Sequence, residues 1–255
     1  FAGVFTPAIV YYFAAGYMPE FRHGWGIPTA TDIAFAIGVI TMLGNMVSPA
    51  MKAFLAALAV IDDLIAIVVI ALFYGAGVNF MDLIAAAAVT GLLVYTNKQG
   101  YLRPLPYCVL GLVLWYLVLK SGVHATIAGV VLAMTIPFKG EVLDKVVYPM
   151  EEWAHALKNR VNFFIIPLFS FLNAGVSFAD FSMENLFHPV IIGVSLGLIL
   201  GKQLGIFSAV YILVQSKAIK MPTNTTWPEI YGTAILCGIG FTMSLFVATL
   251  AFPPG

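Results

Sequence analysis

Residues 57–72 read ALAVIDDLIAIVVIAL, and apart from Asp62 and Asp63 at the centre every side chain in the stretch is aliphatic. An apolar run of about 20 residues crosses a hydrocarbon layer as a helix, and a charged side chain at the bilayer centre costs about 2.5–3.5 kcal/mol on insertion scales. Two adjacent carboxylates at that depth need a partner, a water-filled cavity or a task. The reading of the whole chain turns on which of these they have.

The 255 residues are 61% hydrophobic and 9% charged, against about 45–50% apolar and about 25% charged in soluble domains. This is the composition of an all-α polytopic membrane protein. The formal net charge is zero, 12 Lys+Arg against 12 Asp+Glu, so no bulk attraction to nucleic acid is expected and the lipid bilayer is the main surrounding. Cys108 and Cys237 lie in apolar stretches without metal-ligand spacing and read as small hydrophobes. The chain begins at Phe1 and enters apolar sequence without the basic segment of a signal peptide, which reads as a fragment or processed form.

Apolar stretches between polar or Gly/Pro punctuation predict nine spans, near 1–17, 28–44, 50–75, 80–97, 104–120, 122–138, 158–178, 187–214 and 228–252. No soluble domain or linker interrupts them, so 1–255 reads as a single transmembrane domain. Loops after the even-numbered spans hold nine Lys and Arg, from Lys52 to Lys220, whereas the opposite loops hold only Arg22 and Lys120. The nine-cation face is therefore expected to be cytoplasmic. The twelfth cation, Lys202, falls inside a span.

Four charged groups fall within spans away from their ends: Asp32, Asp62, Asp63 and Lys202. Asp62 and Asp63 mark the midpoint of 50–75, and Lys202 lies within two residues of the midpoint of 187–214, so opposite charges meet at matched depth. Adjacent helical residues point about 100° apart. One aspartate can therefore meet Lys202 while the other faces a cavity. Burial and a neighbouring like charge oppose ionisation while a lysine favours it, a balance suited to exchanging protons. A packing ion pair alone explains one carboxylate but not the second.

Two stretches look interrupted. In HGWGIPTATDIAFAIGV, 23–39, Gly24, Gly26 and Pro28 discourage helix, while Thr29 and Asp32 have the spacing of a capping box. A helix confined to 29–44 is only about 24 Å long. The Gly/Pro segment is expected to supply the missing depth as extended chain and to carry Thr31 and Asp32 inward. In ILCGIGFTMSLF, 235–246, Gly238 and Gly240 bracket one residue. They read either as close-packing glycines or, taken with 24–32, as a second broken helix.

Six strings, PTATDIAFAIGV (28–39), ALAVIDDLIAI (57–67), LKSGVHATIAGV (119–130), PLFSFLNAGV (167–176), LGKQLGI (200–206) and LCGIGFTMSLF (236–246), resemble in order the NhaA-type Na⁺/H⁺ antiporters of bacterial inner membranes. NhaA is itself a standard example of transporters with discontinuous helices and midplane ion sites. The resemblance implies a twelve-helix inverted-repeat transporter fold, with two interrupted helices crossing near the midplane, of which this chain matches helices three to eleven. It implies that Asp63 is the principal ion-binding carboxylate, that Asp62 shares Na⁺ binding and pairs with Lys202, and that Thr31 and Asp32 lie where the two broken helices cross, beside Gly238 and Gly240. At that crossing Asp32 offsets positive helix N-termini and Lys202 negative C-termini. A homodimer is implied by resemblance alone. One departure concerns pH response: the family's Leu-Glu-His is replaced by Trp153, Ala154 and His155, preceded by Glu151 and Glu152. His124 matches another pH-response position and equally reads as a helix cap.

The function expected is secondary active exchange: Na⁺, and Li⁺, compete with protons for the same carboxylates, with export of Na⁺, electrogenic and pH-regulated, and with no cofactor. Alternatives are a cation channel or a proton-coupled solute symporter, although no pocket groups for an organic solute are evident. Enzymes are disfavoured. An intramembrane aspartyl protease needs its aspartates on different helices, and a prenyl-diphosphate site needs Asp-Asp-x-x-Asp where residue 66 is Ala.

Overall fold

Residues 1–74, 79–142, 145–173, 186–221 and 225–252 are described by a computed structural model. Among them the helices are α1 (Ala2–Tyr11), α2 (Ile33–Met42), α3 (Pro49–Phe73), α4 (Phe80–Lys98), α5 (Pro104–Lys120), α6 (Thr126–Thr135), α7 (Pro149–Arg160), α8 (Ile166–Asn173), α9 (Pro189–Leu196), α10 (Lys202–Gln215), α11 (Trp227–Leu236) and α12 (Phe241–Ala251). Wide π-helical turns extend α1 over Tyr12–Gly16 and join α7 to α8 and α9 to α10, over Val161–Ile165 and Gly197–Gly201. The departure from an all-helical chain is a small antiparallel hairpin, Gly140–Val142 (β1) with Lys145–Val147 (β2), pairing Glu141 with Val146.

Among the described residues three helices are long and apolar enough to cross a membrane alone, Pro49–Phe73, Phe80–Lys98 and the continuous Pro189–Gln215, and each of two bent pairs can add one. The Asp62–Asp63 run thus sits in a 25-residue helix, started by Pro49 after Ser48, whose Oγ accepts from the Met51 N–H at 3.2 Å. The expected span 122–138 shrinks to α6, because the chain turns at Gly122 with φ of 80° and the helix stops two residues before Pro137. The expected 158–178 begins earlier, at Pro149, where an N-terminal proline and Glu151 and Glu152 in the first turn favour helix. Residues 174–178 of that span, and residue 75 of another, lie outside the described residues.

The largest correction concerns 24–32. Instead of extended chain, Pro19–Thr29 forms a 3₁₀ helix, and only a short stretch at Ala30–Asp32 is extended before α2 begins. A 3₁₀ helix rises about 2.0 Å per residue, so glycines and prolines that disfavour α-helix still gain depth with partly satisfied backbone. The two halves bend by 43°, and α11 and α12 bend by 44°.

Two compact units are formed, residues 1–66 with 169–255, and residues 67–168. In the second, Leu93, Tyr107, Leu114, Val118 and Ala128 make an apolar core, with Trp153 edge-on to Tyr107 at 5.6 Å. In the first, α1 lies against α9, α10 and the wide turn between them. Gly193, Gly197, Gly201 and Gly205 form the seat. A Cβ at Gly201 would stand 2.6 Å from the Pro7 Cα, one at Gly197 2.7 Å from the Pro28 Cβ, and one at Gly193 2.9 Å from the Tyr11 ring. Small residues at four-residue spacing let backbones approach where only packing drives association.

Candidate ion site

The site is assembled wholly within the unit 1–66 with 169–255, from four segments: the two broken helices, α3 and the start of α10. The breaks meet backbone to backbone, the Asp32 N–H donating to the Ile239 carbonyl at 2.6 Å and the Thr31 hydroxyl lying 2.9 Å from the Cys237 carbonyl. Gly238 permits this, since a Cβ there would stand 2.6 Å from the Leu198 carbonyl oxygen. At Gly240 a Cβ would collide with the Ser244 hydroxyl and the Leu198 side chain. Both glycine readings hold together: the glycines pack closely at the place where the helix bends.

Asp32 is not the second member of a capping box with Thr29. It is the N-cap itself, Oδ1 accepting from the Phe35 N–H at 3.1 Å, while Thr29 Oγ1 donates back to the Gly26 carbonyl at 2.7 Å. The other carboxylate oxygen, Oδ2, accepts from the Thr242 N–H at 3.1 Å and from the Thr242 hydroxyl. One buried carboxylate therefore caps α2 and α12 at once, where each helix presents its positive end. Thr242 is the residue that sequence reading missed; its place just after Gly240, at the start of α12, was the available signal.

Lys202 is fully buried. Its ammonium spends all three N–H donors, on the Thr29 carbonyl at 2.6 Å, Thr31 Oγ1 at 2.9 Å and Asp62 Oδ2 at 2.5 Å. It thereby satisfies the last carbonyl of the 3₁₀ helix and forms an ion pair with Asp62. Thr31 Oγ1 also lies 3.1 Å from Asp62 Oδ2. Its one proton has two acceptors, Asp62 and the Cys237 carbonyl, so this hydroxyl links the ion pair to the second break.

Asp63 points elsewhere, as adjacent helical residues must. It is half-buried, and its Oδ1 is buried with no hydrogen-bond partner among the described residues. The cluster of Thr31, Asp32, Asp62, Asp63 and Lys202 thus holds three carboxylates to one ammonium: Asp32 spent on helix ends, Asp62 on Lys202, and Asp63 with an unused oxygen. Such an oxygen suits a hard monovalent cation or a proton.

The remaining expected residues belong to the unit 67–168. The Thr126 N–H points at His124 Nδ1 at 3.4 Å and the Thr126 hydroxyl lies 2.9 Å from it, placing the imidazole at the start of α6. Glu151 and Glu152 are exposed in the first turn of α7, and Glu151 lines a surface cleft with Ala154, His155 and Lys158. Cys108 is exposed and Cys237 buried.

A family model described as Na⁺/H⁺ antiporter 1 matches residues 1–254. The Na⁺/H⁺ antiporter NhaA of Caulobacter vibrioides is 48% identical over 252 residues, 98% of this chain and 61% of that protein. That of Pseudomonas putida (strain GB-1) is 48% identical over 253 residues, 99% of this chain and 64% of its own length. The Na⁺/H⁺ antiporter NhaA 1 of Magnetococcus marinus is 48% identical over 250 residues, 98% and 63% respectively. The chain spans less than two thirds of the length of the curated relatives it matches.

Proposed function

The chain belongs to the Na⁺/H⁺ antiporter 1 family, and from that premise we propose that it exchanges Na⁺, and Li⁺, for protons across a bacterial inner membrane, exporting Na⁺ from the cytoplasm. The observation that carries this is the division of labour in the pair: Asp62 is occupied by Lys202 while Asp63 keeps a buried oxygen unpartnered. Asp63 holds the proton or the cation in turn. For Asp62 to lend a second ligand its Oδ2 must be released by Lys202, and Thr31 supplies a hydroxyl at the same spot. Asp32 and Lys202 meanwhile neutralise the half-helix ends of an inverted-repeat crossing near the midplane.

Exchange then follows from competition. Protonation or cation binding removes the bare charge, and only a neutralised site passes readily between inward- and outward-facing states, because exposing naked carboxylates to the bilayer interior is penalised. No ATP is required. If Asp63 and either Asp62 or Lys202 change protonation in each cycle, more than one proton moves per cation and transport is electrogenic. Raising the pH removes the competing proton, so Na⁺ affinity and turnover rise with pH until the site is fully deprotonated. Glu151, Glu152 and His124 are assigned to adjusting that response, and a homodimer is the assembly that the family implies. A channel would pass current far above turnover-limited flux.

The test is Na⁺-dependent dequenching of a pH gradient in everted vesicles carrying the protein. Asp63→Asn is expected to abolish the signal in a folded protein and Asp62→Asn to weaken it severely. Full exchange by folded Asp63→Asn would refute the assignment.

A further inference from the structure

Lys202 must leave Asp62 for a cation to use that carboxylate, yet it sits in the middle of a continuous helix whose neighbours are tightly packed. Withdrawing it by rotating the whole of α10 would drag Gly205 and Ile206 off α1. The helix contains another way. Immediately before Lys202, residues Gly197–Gly201 form a π-helical turn, and the Lys202 N–H reaches five residues back, to the Gly197 carbonyl. A wide turn holds one residue more than an α-turn while leaving the helix on either side in register, and such turns recur at functional sites.

We propose that this turn is a movable slack residue, whose migration by one turn toward Gly205 withdraws Lys202 from Asp62. In the observed position the extra residue lies upstream of the lysine. Moving it downstream rotates the intervening residues by about one residue's worth, roughly 100°, and carries a side-chain end on the order of 8 Å, while α9 and the far end of α10 stay in place. That distance breaks all three hydrogen bonds of the ammonium together.

Two further observations support the migration. The glycines at 197, 201 and 205 stand at four-residue spacing, so the turn begins and ends on residues without side chains and has another waiting one turn on. Steps of four residues overshoot an α-turn by about 40° each, and a wide turn takes part of that drift back. This is why Gly193, Gly197, Gly201 and Gly205 all face α1 and its neighbour Pro28. A wide turn at either place keeps Gly193 and Gly205 against α1 and its neighbours, while the short stretch between, Gly201 with Lys202, turns.

The inference rests on the ion-exchange reading for its transport consequence, and the experiment separates the two. Ile199 is the most exposed residue of the turn, 58% accessible. Deleting it removes the slack and restores an ordinary helix with both flanks in register. In the protein carrying ΔIle199, the thermal-stability coupling between Lys202 and Asp62, read from a Lys202→Gln and Asp62→Asn double-mutant cycle, is expected to persist, while Na⁺-driven proton turnover falls tenfold or more. Turnover equal to the parent overturns the proposal. So does loss of the coupling, which would make the turn a fixed positioning element, and so does failure to fold, since a slack residue is removable. Absence of exchange in the unaltered parent instead refutes the proposed function and leaves the coupling result standing.

Discussion

The two compact units bury different things. In the unit 67–168 the interior is Leu93, Tyr107, Leu114 and Val118, and its buried hydroxyls, Ser121 and Thr135, donate to carbonyls three residues back in their own helices, those of Val118 and Leu132. In the unit 1–66 with 169–255, the interior holds Asp32, Asp62, Lys202, Thr31 and Thr242, and apart from the local cap that Asp32 gives the Phe35 N–H their side-chain partners lie between 31 and 210 positions away in sequence. One interior depends on shape and can be trimmed gradually. The other depends on complete pairing and fails when one member is removed.

Splitting the ion pair is expected to have the largest effect. Lys202→Ala or Asp62→Ala alone is expected to cost about 3–5 kcal/mol by leaving a lone buried charge, and the double variant Lys202→Met with Asp62→Leu is expected to recover much of it; thermal unfolding in detergent reads both. A double variant no better than either single one would remove the special status of the pair. Next comes the apolar unit, where Leu114→Ala is expected to cost about 2–4 kcal/mol through a cavity and Leu114→Met less than about 1.5 kcal/mol. Graded losses there beside all-or-none losses at Lys202 sharpen the contrast.

Thr242→Val keeps the shape but deletes the hydroxyl donated to Asp32, leaving the carboxylate one donor short. The expected loss is about 1–3 kcal/mol, measured in the same assay. The smallest effect is at the surface of α7: Glu151→Gln with Glu152→Gln is expected to change stability by no more than about 0.5 kcal/mol, while moving the pH midpoint of exchange measured in everted vesicles.

Much of the site was legible because membrane sequences make charge conspicuous. Asp62, Asp63 and Lys202 stood out against aliphatic surroundings, and helical geometry alone required the two aspartates to diverge, as they do in α3. The resemblance placed Asp32 at the helix crossing, but the donors it meets there, the Phe35 and Thr242 N–H groups, were not legible. A carboxylate three residues after a threonine looks like a capping box, and only the return of α12 from more than 200 residues away shows that Asp32 caps two helices. A capping box does occur elsewhere, at Thr226 and Glu229. The 3₁₀ helix at Pro19–Thr29 escaped because glycine and proline argue against α-helix without saying what replaces it. The wide turn before Lys202 has no composition signature beyond its glycines.

In the proposed exchange a cation and protons compete for one carboxylate, Asp63. The most direct measurement is proton release when Na⁺ is added to the purified protein in weakly buffered detergent solution at a pH where exchange is half-activated. Release that saturates with Na⁺, diminishes as the pH is raised and vanishes in Asp63→Asn is the predicted result. Na⁺ binding with no proton released, or undiminished release from Asp63→Asn, would contradict it.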